Sequence, residues 1–61
     1  MKTLDKLKEL VEKAYSDSQK LFEKGTHSRG REARKTLSEI AKLCKLAREE
    51  VLEKMKETKG E

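Results

Sequence analysis

Leu4, Leu7, Val11, Ala14, Ser18 and Leu21 recur at alternating spacings of three and four, with Leu10, Tyr15 and Phe22 widening the stripe. That rhythm belongs to a helix packed along one face, and it predicts a first helix over residues 3–24. Gly25 suits the left-handed position after a helix end, and Thr26 suits the N-cap of a following helix, with Ser28 as a rival cap. Ala33, Leu37, Ile40, Cys44, Ala47, Val51 and Met55 restart the periodicity, with Gly30 in phase one turn upstream. They predict a second helix over residues 27–58. A turn of two residues, 25–26, makes the helices antiparallel, so the expected fold is all-α, a single helical-hairpin domain over residues 1–61.

Folding at Gly25 sets Leu21 opposite Gly30, Ala14 opposite Leu37, Val11 opposite Ile40, Leu7 opposite Cys44 and Leu4 opposite Ala47. At 1.5 Å per residue the helices are roughly 33 and 48 Å long, so the second overhangs the first by about ten residues. Val51, Leu52 and Met55 lie in that overhang, and Leu46 points away from the seam. Apolar side chains without an intramolecular partner imply an intermolecular one. The expected interface residues are therefore Leu46, Val51, Leu52 and Met55, in a homodimer that forms a four-helix bundle or a longer coiled-coil assembly. A frayed C-terminal helix is the plainer alternative.

The composition fits this reading. Of 61 residues 33% are hydrophobic and 46% charged, with no proline or tryptophan, which excludes a β-sandwich or barrel. No run approaches the roughly 20 apolar residues of a membrane span, and Met1, Lys2 and Thr3 lead in without the apolar block of a signal peptide. A soluble, cytoplasmic protein is expected. Cys44 is the only cysteine and has no internal disulfide partner; its place on the seam suggests a small buried hydrophobe. Tyr15 and Phe22 are too few for a base-stacking platform and are expected in the core.

The distribution of charge changes the picture. Between residues 20 and 35 the basic side chains are Lys20, Lys24, Arg29, Arg31, Arg34 and Lys35, against only Glu23 and Glu32. Everywhere else acidic and basic residues balance, so this stretch carries the whole net charge of +4. A concentrated basic patch implies a polyanionic partner more strongly than a uniform excess does. On a helical projection with Ala33 at zero, His27, Arg31, Arg34, Lys35, Lys42 and Lys45 fall between about 100° and 200°, and Glu32, Glu39, Glu50, Glu53 and Glu57 between about 200° and 260°. Such segregation forgoes the stability of interleaved i,i+4 pairs, as functional surfaces do. A merely solvated charged face is the alternative.

From this tip onward the chain resembles the bacterial histone-like proteins of the chlamydial type, named for their likeness to linker histones. The resemblance rests on Gly25, Thr26, Gly30 and the stretch Arg31 to Lys35, then Glu39, Ile40, Lys42, Leu43, Lys45 and Arg48, and covers residues 22–57. His27, Ser28, Arg29 and Glu32 depart from the family's usual residues at their positions. The resemblance implies binding of duplex DNA with little sequence preference and a place in the nucleoid. The chain stops at Lys59, Gly60 and Glu61 without the long lysine-rich tail of some members, so the folded tip is the expected contact.

Enzyme chemistry finds no support. His27 is the only histidine, and Cys44 is expected far from it, so neither a metal site nor a Cys-His nucleophile is assembled. The spacing from Gly25 to Gly30 lacks the lysine-serine or lysine-threonine ending of a nucleotide loop. No cofactor, metal or small-molecule substrate is expected. The leading reading is phosphate contact with duplex DNA by Arg29, Arg31, Arg34 and Lys35, assisted by Lys20, Lys24, Lys42 and Lys45. Alternatives are a coiled-coil protein-interaction module and an RNA-binding hairpin using the same arginines.

Overall fold

The computed structural model describes residues 1–58; the last three residues of the expected domain, 59–61, lie outside the described residues. Two helices, α1 (Lys2–Lys24) and α2 (His27–Glu57), pack against each other as an antiparallel hairpin of 51 × 15 × 15 Å. Among the described residues no segment is a strand, and no helix is long and apolar enough to cross a membrane.

Gly25 ends α1 in the left-handed region at φ 67°, and its N–H donates to the Leu21 carbonyl at 2.7 Å. Only glycine adopts this conformation without a steric cost, which is why the chain reverses here. Thr26 occupies the N-cap position of α2, but its hydroxyl makes no capping hydrogen bond. Its backbone carbonyl accepts from the Arg29 and Gly30 amides instead.

The seam is narrow at the turn and rotated from the sequence expectation. Leu7, Ala14 and Leu21 of α1 meet Ala33, Ile40 and Ala47 of α2, and Leu10, Asp17, Thr36 and Leu43 complete the contact. Gly30 lies against Leu21, where an added Cβ would meet the Leu21 Cδ2 at 3.0 Å. Leu4, Val11 and Leu37, expected in the seam, are exposed, as is Val51 in the overhang. Cys44 is exposed as well, not a buried hydrophobe. Tyr15 and Phe22 are not core residues either, Phe22 being 85% exposed. The physical reason is that a repeat of alternating threes and fours carries two apolar rows, and a lone pair of helices covers only one of them. The second row forms an open groove along one face, lined near the turn by Val11, Tyr15, Ser18 and Leu37 and further along by Leu4, Cys44 and Val51.

Gly25 and Gly30 differ in what substitution costs. At Gly25 there is open space for a Cβ, so Gly25→Ala pays only the left-handed backbone, on the order of 1 kcal/mol. Urea denaturation is expected to show that loss. Gly30→Ala, where helix propensity gains about 1 kcal/mol and the flexible Leu21 side chain has room to yield, is expected to be near neutral.

Candidate functional site

The site is built at the turn, where Gly30 of α2 lies against Leu21 of α1 and a polar side chain one turn further along α1 enters the seam. That side chain is Asp17, only 3% exposed. Its Oδ1 accepts from the Arg29 Nη1 at 3.1 Å, and its Oδ2 accepts from the Lys13 Nζ at 3.1 Å. Lys13 also reaches across to α2, donating to the Glu32 Oε1 and the Thr36 Oγ1 at 3.4 Å each. A buried carboxylate is tolerated only when its oxygens are paired, and here a cation sits on each.

Protonation follows from this geometry. The hydrogen bond from Lys13 holds the Asp17 carboxyl below the usual carboxylate range, the Lys13 and Arg29 charges add to that, and burial works against it. Lys13 is raised above its ordinary value, chiefly by the bond to Asp17 and against desolvation, with Glu32 adding.

The other basic residues singled out in the sequence are differently placed. Lys20 and Lys24 lie in the last two turns of α1, and Arg31, Arg34 and Lys35 in the first turns of α2; all five are exposed. Among the described residues none of the five forms an ion pair. Arg29 is tied to Asp17 but remains half-exposed, and a guanidinium carries further donors. Glu32, the acid of α2 within the basic stretch, is engaged by Lys13. The two internal pairings therefore remove one cation and one anion from the tip, leaving its surplus intact. Lys42 and Lys45 are exposed but lie roughly 10 and 15 Å further along α2 than Lys35. Of the expected interface residues, Val51, Leu52 and Met55 line the far end of the groove. Leu46 is exposed on the opposite flank of α2, about 140° from Val51 on the helical projection.

Sequence reasoning missed Lys13, Asp17 and Thr36. The available signal was spacing: Asp17 falls in phase with Leu10, Ala14 and Leu21, a charged residue on a row that is otherwise apolar. No group of three or more metal-ligating side chains occurs among the described residues.

Comparison with protein families matches residues 1–57 to the family described as histone H1-like protein Hc1. Comparison with curated proteins and with solved structures gives no match.

Because its folded pKa is lowered, Asp17 contributes stability that is fully present above its unfolded value, near 3.8, and is lost as pH falls through the lower folded value. Lys13 contributes stability that is present below 10.5 and lost as pH rises through its raised value. Asp17→Asn is accordingly expected to lower the thermal midpoint at pH 7. The midpoints of the two proteins should converge as the pH falls below 3.8, a trend that circular dichroism melts across pH would measure.

Proposed function

The chain belongs to the histone H1-like protein Hc1 family, and from that premise we propose that it is a nucleoid protein that binds duplex DNA through phosphate contacts at its basic tip. The observation that carries this reading is the coincidence of charge and exposure. The net +4 of the chain arises within residues 20–35, and five of the six cations there stand exposed with no acidic partner among the described residues.

Arg31 and Arg34 offer forked donors suited to phosphate oxygens, and Lys20, Lys24 and Lys35 add point charges around them. Arg29 acts from a fixed position, since Asp17 holds one edge of its guanidinium. The first backbone amides of α2 open toward the same end, where the helix dipole favours an anion. Lys42 and Lys45 extend the positive surface along α2. None of this reads base edges, so binding is without sequence preference. The binding unit is a homodimer with two tips, located in the cytoplasm on the nucleoid.

If each tip neutralises about three phosphates, the slope of log K against log salt is about −5 for the dimer. Replacing Arg31, Arg34 and Lys35 together by glutamine is expected to remove most of that slope and most of the affinity for an arbitrary duplex, with helicity unchanged. Replacing Lys2, Lys6 and Lys56 instead changes net charge equally but leaves the tip and the Lys13 bridge untouched, and it should weaken binding far less. Equal losses from the two triple variants would mean that net charge alone governs binding, and duplex RNA bound more tightly than duplex DNA would favour the RNA reading.

A further inference from the structure

We propose that a second copy of this chain covers the open groove, related by a two-fold axis along the hairpin, so that both basic tips lie at the same end of the dimer. This rests on the homodimer reading above, and adds the face and the direction.

The face follows from the repeat. One row of the pattern, Leu7, Ala14 and Leu21 against Ala33, Ile40 and Ala47, is used within the hairpin; the other, Leu4, Val11 and Ser18 with Leu37, Cys44 and Val51, is left open. These open positions alternate along the groove, Val11 and Ser18 beside Leu37 and Leu4 beside Cys44 and Val51, so they form one strip rather than scattered exposure. A four-helix bundle is the arrangement in which both rows of such a repeat are covered. Leu4, Val11, Tyr15, Phe22, Leu37, Val51 and Met55 are each close to half-exposed or more. Together they offer roughly 600–800 Å² per copy, one side of an ordinary stable interface. Among the described residues no large side chain is fully buried, so a second copy also supplies the core that one hairpin lacks.

The direction follows from charge beside the groove. Along α2 the positions flanking the open row carry the cations Arg31, Arg34, Lys45 and Arg48, with Glu49 beside Arg48 as an acid among them; along α1 they carry Asp5, Lys8 and Glu12. Placing the tips at opposite ends sets α2 beside its own copy and runs the four cations of one against the four of the other. A two-fold axis along the hairpin sets α2 beside α1 of the partner, bringing Asp5 to within about 3 Å in height of Lys45 and Arg48. The two α2 helices are then diagonal, roughly 14 Å apart for neighbours at 10 Å, beyond the screening length of about 8 Å at physiological salt. Leu46, on the opposite flank, takes no part.

Sedimentation equilibrium without DNA, at tens of micromolar protein, is expected to give twice the chain mass. Val11→Glu with Val51→Glu should return it to the single-chain mass, while Leu46→Glu should not. Spin labels on Ser28→Cys in a Cys44→Ala background then read the direction without adding charge to the groove. Tips at one end place the labels within about 35 Å, whereas tips at opposite ends place them more than about 40 Å apart. A wild-type monomer, a dimer that survives both groove charges, or the longer distance would overturn the proposal. A monomer that still binds duplex DNA, with about half the salt slope, would overturn the dimer and leave tip binding standing. A dimer indifferent to DNA would do the reverse.

Discussion

Asp17 carries a negative charge between two helices, a place where charge is costly, and the geometry of the turn depends on it. Six cations crowd the sixteen residues around the reversal, and like charges at that density push the helix ends apart. The Asp17 carboxylate answers this by binding Arg29 from α2 and Lys13 from α1 at once, and Lys13 adds its bonds to Glu32 and Thr36 across the seam. The remaining cations are thereby held on a fixed frame and turned to solvent, with no need to spend them on the fold.

The rest of the seam is thin. Its buried apolar residues are Leu10, Ala14, Ala33 and Ala47, three of them alanines, which let the helices approach closely but remove little surface from water. Other large apolar side chains, Leu4, Val11, Leu37 and Val51 among them, stand on the open face. One hairpin thus presents two chemically distinct surfaces, a cationic end and an apolar side. In the proposed function these do separate work, the end meeting phosphate and the side meeting another copy.

The helical hairpin is legible in the sequence because its signals are local: Gly25 breaks the periodicity, and the rhythm resumes within a turn or two. The histone-like membership is legible in the glycines and the Arg31 to Lys35 stretch, and the family match extends it over α1. Which apolar row closes the hairpin is not legible. Val11 and Leu10 have equal claims by hydropathy, and the choice is made by Asp17 and Thr36, polar residues whose burial depends on partners in the other helix. For the same reason Arg29 reads as one free cation among several until the fold sets it against Asp17. Cys44 and Phe22 illustrate the converse, since apolar character predicts burial only where a partner surface exists.

The central claim is that duplex DNA meets the tip and leaves the groove alone. Amide chemical shifts of isotope-labelled protein, followed while an arbitrary duplex is added, test it residue by residue. Shifts concentrated between Lys20 and Lys35, with Leu4, Val11, Cys44 and Val51 undisturbed, are the predicted result. Shifts centred on the groove residues, with the tip unchanged, would contradict the account.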